Sequence, residues 1–260
     1  MSVESPPFSV VIPVLNEVDS LPQLFAELET LASSDPTLSL REVILVDDGS
    51  TDGTIDLAAH WAGSRHPFNP RVIRRTTRLG PASAELEGIQ AAASDLVVKL
   101  DADGQHPVGL IPALVRQAIH GTEVVIASRY MSQGGTNWSP IRGLISRVAL
   151  WASRLALKAV RGVRDPISGY FAVRKELTIG LDTTVPRYKL LLYVLVSNPN
   201  VHVKEIPFVM TDRKSGSSKI VGTSLRYIAA FVGELGRYRK VSARLASRRG
   251  SPGRAPDLVD

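Results

Sequence analysis

The chain has 260 residues, 44% of them hydrophobic, enough for one large domain or for a domain with an appendage. It has no cysteine, which excludes disulfides and thiolate metal sites, and no apolar run approaches the ~20 residues of a membrane-spanning helix. The net charge of +6 is uneven: seven Lys/Arg and no acid lie from Arg129 to Arg164, and eleven with one acid, Glu234, from Arg213 to Arg254, an asymmetry that marks an anionic partner.

Met1 to Pro7 is polar and proline-bearing, without the apolar stretch of a signal peptide. Phe8 to Val14 reads as a strand. Leu21 to Ala32 reads as a helix, with Leu21, Leu24, Phe25, Leu28 and Leu31 at helical spacing. Glu42–Val46 is the next strand, Thr54–Ala62 a helix, Val72-Ile73 a short strand and Pro81–Ala93 a helix. Leu96–Leu100 and Val124–Ala127 are strands, with Leu110–Ile119 a helix between them. This alternation predicts an α/β fold, a mostly parallel sheet flanked by helices, with ligands at the carboxyl ends of its strands. Asn16-Glu17, Asp47-Asp48 and Asp101/Asp103 all fall at such ends.

Arg142–Arg161 reads as a long basic amphipathic helix. Arg147, Arg154, Lys158 and Arg161 form one stripe beside Trp151, and leucines, Ile145 and Val160 cover most of the rest. Either a membrane interface or a core helix with one wet face fits that pattern. His202–Phe208 is a further strand, Asp212–Lys219 a Ser/Gly/Lys/Arg loop and Leu225–Tyr238 a second mixed helix. From Val241 onward the composition predicts disorder.

Asp101 and Asp103 follow a short apolar strand, and two carboxylates in one loop repel each other unless a cation sits between them. Gln105 adds a neutral oxygen, and the set suits Mg²⁺ or Mn²⁺ carrying a diphosphate. His106, before Pro107, is either a further ligand or a residue that shapes the loop. Asp48 could accept hydrogen bonds from a base or ribose, while Ser50–Asp52 offer helix caps. Arg129, Arg142, Ser146 and the Arg213–Lys219 loop are cationic or hydroxylic and suit phosphates. A metal loop plus separate arginine loops implies two phosphate-bearing ligands.

In this order, Val11-Ile-Pro-Val-Leu-Asn-Glu17, Val46-Asp-Asp-Gly-Ser-Thr-Asp-Gly-Thr54, Asp101-Ala-Asp-Gly-Gln-His-Pro107, Ala127-Ser-Arg-Tyr130, Trp138 with Arg142–Arg147, Asp165-Pro-Ile-Ser-Gly-Tyr-Phe171 and Asp212-Arg with Gly216–Lys219 resemble the dolichol- and polyprenyl-phosphate mannose synthases of glycosyltransferase family 2. The resemblance spans roughly residues 8 to 220 and implies the GT-A fold. It implies that Pro13, Leu15, Glu17, Val46 and Asp48 hold the nucleoside and that Leu100 and Ala102 line the donor site. Asp101, Asp103 and Gln105 would bind Mg²⁺ or Mn²⁺. Arg129, Arg142, Ser146 and Arg213 would hold phosphates, Lys219 would clamp the donor, and Ser168 would sit near the reacting centre. Catalysis would fall to Asp101, Asp103, Arg129 and Ser168.

Two stretches depart from the pattern. Arg78-Leu-Gly-Pro-Ala-Ser-Ala84 replaces a richer glycine segment, and Pro186-Arg-Tyr-Lys189 lacks the acid found there in related enzymes. A phosphate acceptor needs no base, because its second pKa is about 6.

The expected division is a catalytic domain over 1–220 that includes the helix near 142–161, an interface helix over 221–240 and a basic tail over 241–260. The expected reaction is inverting transfer of a hexose, mannose from GDP-mannose first and a UDP-hexose as the alternative, to a polyprenyl phosphate. The enzyme would act peripherally on the cytoplasmic side of a membrane, with room for a separate membrane-anchoring partner. A sugar-nucleotide nucleotidyltransferase would carry a glycine-rich basic loop where Asn16-Glu17-Val18-Asp19 stands. A nucleic-acid binder leaves the acidic strand ends unexplained, so no nucleic-acid partner is expected.

Overall fold

The computed structural model describes residues 5–118, 121–210 and 224–249. Its first half runs β1 (Phe8–Val14), α1 (Leu21–Ser34), β2 (Leu40–Asp47), α2 (Thr54–Ala62), β3 (Asn69–Arg74), α3 (Pro81–Ala91), β4 (Leu96–Lys99) and α4 (Ile111–Ala118). It continues with β5 (Val124–Ser128), β6 (Gly135–Thr136), α5 (Pro140–Ala156), β7 (Phe171–Arg174), α6 (Leu190–Ser197), β8 (Val203–Pro207), β9 (Val209–Met210) and α7 (Ser224–Arg249). Seven strands form one sheet in the order β3-β2-β1-β4-β7-β5-β8, and β6 with β9 make a small second ladder.

The central strands are apolar because both faces of the sheet are covered. One core packs α1, α2 and α4 against the sheet through Leu28, Trp61 and Leu114. The other packs α3, α6 and α7 through Leu86, Leu192 and Phe231. β1 pairs with β2 on one side and β4 on the other, both parallel. Strand order reverses at β1, and such reversals open a crevice at the carboxyl ends of the strands. The loops after β1, β2 and β4 all open there.

Besides α6, β6 and β9, which the sequence reading lacks, three features differ from it. β7 is antiparallel to both β4 and β5 and divides them. Its four residues are too few to show a period. The helix predicted over 142–161 ends at Ala156: Leu157 is extended (φ −127°, ψ 108°) and Lys158–Val160 is a 3-10 turn. Leu157 and Val160 are buried, and the chain turns inward to place them. Arg154 donates to the carbonyls of Val163 and Arg164, and Arg161 to that of Arg154, so the basic stripe is partly consumed in closing this turn.

The third is α7, which continues past 240 to Arg249, so the predicted tail is helical up to there; residues 250–260 lie outside the described residues. Phe231, Leu235 and Tyr238 recur at helical spacing and are all buried. The Phe231–Leu235–Tyr238 face of α7 is therefore built into the core.

The orientation of α5 inverts the usual amphipathic plan. Its small residues Ala149, Ala152, Ser153 and Ala156 face inward with Leu150. Ile141, Leu144, Val148, Trp151 and Leu155, spaced by three and four, are 53–74% exposed. Among the described residues no helix is long and apolar enough to cross a membrane.

Candidate active site

The loops after β1 and β2 are stitched together. Asn16, with φ +54°, accepts from Thr51 N at 2.8 Å through its side chain, while its own N–H donates to Ser50 Oγ. Glu17 N donates to Thr54 Oγ1 and Val18 N to Asp52 Oδ2. Ser50–Asp52 thus brace the neighbouring loop more than they cap α2, although Asp52 does accept from Thr54 N. Pro13 and Val46 are opposite one another in the β1–β2 register. Val46, Leu100 and Ala102 are buried, whereas Pro13, Leu15 and Glu17 are partly exposed at the crevice.

Asp48 is taken up by its own chain. Its carboxylate accepts from Arg75 Nη1 at 2.6 Å, Gly80 N at 3.0 Å and Leu79 N at 3.3 Å. Arg75 also reaches Ser83 and Glu87. Asp48 therefore shapes the loop between β3 and α3, and its remaining accepting capacity is what a ribose or base could use. Arg75 escaped the sequence reading because nothing in Arg74-Arg75 distinguishes it from a surface basic pair.

The loop after β4 is the most organised part of the crevice. Asp103 is 5% exposed and accepts from Gln105 N at 3.1 Å; Gln105 and His106 are buried too. His106 Nδ1 accepts from Asp101 N at 2.9 Å, and the ring stacks on Tyr170, 5.0 Å between centroids. Burial pushes His106 down to about 4, against a partial upward pull from Asp101. Its ring is neutral near pH 7 and shapes the loop.

Beneath Asp101 lies a residue the sequence reading passed over. Lys99 Nζ donates to Asp101 Oδ1 at 2.5 Å and contacts Glu85 Oε1 at 2.8 Å, and lysine and glutamate are both buried. Burial disfavours the lysine's charge, but Asp101 and Glu85 outweigh it and raise its pKa. Burial likewise opposes ionisation of Asp101, yet Lys99 beside it holds the carboxyl well below the usual range. Glu85 is raised, burial prevailing over the pull of Lys99. The signal was present: a lysine inside the run Leu96-Val-Val-Lys-Leu100.

Gly169 closes the loop from above. A Cβ there would lie 3.2 Å from Asp101 Oδ2 and 3.3 Å from His106 Cε1. Ser168, expected near the reacting centre, donates its hydroxyl proton to Ala127 O at 2.7 Å and accepts from Tyr170 N. It holds the turn.

Among the described residues no three His, Asp or Glu side chains gather as a metal cage. Asp101 and Asp103 alone suit an ion held by one or two carboxylates that keeps its other positions for phosphate oxygens and water, the habit of Mg²⁺.

The cationic side is built at the N-terminus of α5. Arg129 forms a buried two-pronged pair with Asp165, Nε to Oδ2 and Nη2 to Oδ1 at 2.8 Å each, and its backbone N–H joins them. Its fork is thus directed at the Asp165 carboxylate. Trp138 lies against both cations, 5.1 Å from the guanidinium of Arg129 and 4.3 Å from that of Arg142. Tyr130 Oη and Ser146 Oγ are 2.8 Å apart. Sequence order hid this grouping, because Arg129, Trp138 and Arg142 lie apart in the chain and meet only through the path between β5 and α5. Arg213 and Lys219 lie outside the described residues.

The Glycosyl transferase family 2 model matches residues 9–181. The dolichol-phosphate mannosyltransferase of Pyrococcus furiosus is 36% identical over 84% of this chain and 60% of its own length, so the chain spans less than two thirds of that relative. The dolichol-phosphate mannosyltransferase of Saccharomyces cerevisiae is 31% identical over 85% of this chain and 83% of its own. The polyprenol monophosphomannose synthase of Mycolicibacterium smegmatis is 31% identical over 87% and 86%. In fold, the chain is similar to glucosyl-3-phosphoglycerate synthase from Mycobacterium tuberculosis in complex with Mn²⁺ and UDP-glucose: TM-score 0.61, 23% identity, 97% of this chain and 82% of that one. The sheet with its reversal at β1 is the GT-A fold. A family match running from β1 past β7, together with relatives alike over most of the chain, shows that this protein is a glycosyltransferase belonging to family 2.

Proposed function

We propose that the protein transfers mannose from GDP-mannose to a polyprenyl phosphate at a membrane surface, with inversion at the anomeric carbon. One juxtaposition carries this reading: Arg142 and Ser146 sit on the same helix as the exposed apolar stripe Ile141–Leu155, with Trp138 just ahead of its first turn against the Arg142 guanidinium. A lipid phosphate needs that pair of surfaces together, a cation for the head and an apolar face beside it for the bilayer. Full burial of one such side chain is worth roughly 1.5–3 kcal/mol, so even shallow insertion of the stripe gives useful membrane affinity. The mannose and the lipid acceptor are favoured by the names of the relatives.

The crevice loops orient the donor. Pro13, Leu15 and Glu17 border the nucleoside, and Asp48 with its Arg75 and Gly80 partners fixes the opposite wall. Asp101 and Asp103 stand where the diphosphate ends, with Gln105 completing the loop. A divalent ion bound there would neutralise charge developing on the leaving diphosphate. Arg142 and Ser146 hold the acceptor phosphate so that its oxygen meets the anomeric carbon from the far side; of the two cations outside the described residues, Arg213 would share that task and Lys219 would clamp the donor. Arg129, through Asp165, and Trp138 keep that cluster in register. No general base is required, since the acceptor oxygen is already ionised near neutral pH, and orientation supplies the rest. The protein works peripherally on the cytoplasmic face, and a separate anchoring partner would add to the grip of α5.

The test is a donor screen with a short-chain polyprenyl phosphate and Mg²⁺ or Mn²⁺, the product read by mass. Hexosyl lipid from GDP-mannose is the expected product. Transfer from UDP-hexoses alone would overturn the sugar assignment, and transfer only to water-soluble acceptors would overturn the lipid.

A further inference from the structure

We propose that Lys99 is a positioning residue that makes divalent-metal binding at Asp101 depend on the donor's diphosphate; this rests on the metal role given to Asp101 and Asp103 above. The geometry is specific. The lysine stem rises from β4, a strand whose side chains are otherwise apolar, and its ammonium lies one hydrogen bond from Asp101 Oδ1. Glu85, on α3, holds the ammonium from the other side at 2.8 Å. All of this is buried except Asp101, whose side chain is 37% exposed towards the crevice.

A buried ion pair is a costly way to fill a core, since apolar side chains of similar volume are as stable or more so. What the pair adds is orientation and charge. Lys99 fixes the Asp101 rotamer by holding one oxygen, leaving the other beside Gly169 and His106. It also sets a positive charge next to the cation position. Glu85 lies beyond Lys99, so its attraction for an incoming cation is weaker than the lysine's repulsion. Without donor, a divalent ion meets a carboxylate already shared with an ammonium. With donor, the diphosphate attracts both the ion and Lys99, and the repulsion is offset. Metal and nucleotide then strengthen each other's binding by the same factor, as linkage requires.

Mn²⁺ titration of the donor-free protein, followed by electron paramagnetic resonance and repeated with GDP, tests this. Lys99→Met/Glu85→Met removes the pair and keeps an apolar fill; donor-free Mn²⁺ affinity should rise about five- to tenfold, and the gain on adding GDP should shrink by the same factor. Glu85→Gln, which keeps the lysine and removes its counter-charge, should move donor-free affinity the opposite way, weakening it several-fold. Lys99→Arg should stay near wild type. A purely structural lysine would give no such opposed signs. Equal Mn²⁺ affinities in wild type, the double variant and Glu85→Gln, with each folded by circular dichroism, would overturn the proposal. If Asp101→Asn and Asp103→Asn also leave Mn²⁺ binding unchanged, the metal assignment itself fails; if they abolish it while the Lys99 and Glu85 variants do nothing, only the role of Lys99 fails.

Discussion

The two charged clusters of this protein restrain their key side chains in opposite ways. Around Asp101 the restraint is ionic and buried: Lys99, itself held by Glu85, grips the carboxylate from within the core. Around Arg142 it is aromatic: the face of Trp138 lies 4.3 Å from the guanidinium. A salt bridge positions a charge by neutralising part of it, whereas a ring face positions a cation and leaves its charge available to an anion. The first suits a site whose affinity must stay low until a second ligand arrives. The second suits a site built to meet a phosphate.

The largest effect should come from breaking the carboxylate side. Asp103→Asn should lower transfer by roughly 10³-fold, with the melting temperature nearly unchanged, because a preorganised charge at the leaving group is lost. Turnover assays beside thermal melts check this, and full activity in EDTA would remove the metal from the account. Next is the pH response of the same loop. His106 is depressed from 6.5 to about 4, so between those values the unfolded chain holds a proton that the folded chain lacks. Stability should therefore fall as pH drops from 6.5 to 4, by about 3 kcal/mol across the window. His106→Gln should flatten that slope in urea titrations at stepped pH, and an unaltered slope would place the proton elsewhere.

On the aromatic side the effects should be smaller and confined to the acceptor. Leu144→Glu/Trp151→Glu should weaken binding to vesicles by some tens-fold, through lost apolar insertion, while leaving transfer to a soluble short-chain acceptor unchanged. Sedimentation with vesicles and a paired assay would show it; equal losses on both acceptors would mean that the stripe supports the fold instead. Smallest, Trp138→Leu should raise the acceptor KM about tenfold and leave the donor KM alone, with Trp138→Phe intermediate. A change in donor KM would place Trp138 in the wrong half of the comparison.

The carboxylates were legible because acids at the ends of apolar runs are expensive and therefore conspicuous: Asp48, Asp101 and Asp103 announced both the sheet and the crevice. Lys99 was just as conspicuous in principle, but a single lysine in a short apolar run reads equally well as a strand end that snorkels to water. The cationic cluster was legible only as a set of loops. That Trp138 joins Arg129 to Arg142 depends on the path of the chain between β5 and α5, which no local period encodes. The helix itself was read correctly as amphipathic, yet which face turns outward is decided by Ala149, Ala152 and Ala156 packing closely against the core, a choice made by neighbours and not by the helix. Ser168 shows a different limit: a hydroxyl in a turn and a hydroxyl in a reaction look identical in sequence.

The reversed strand β7 has one further consequence. In a purely parallel sheet the working edge collects the segments that leave strands, and what leads into them belongs to the opposite side. Because β7 runs the other way between β4 and β5, the segment leading into it, Asp165 to Gly169, arrives at the working edge instead. That single change of direction delivers the partner of Arg129 and the turn that closes over Asp101 from one stretch of five residues, so an insertion or deletion ahead of Phe171 would disturb both halves of the reaction at once.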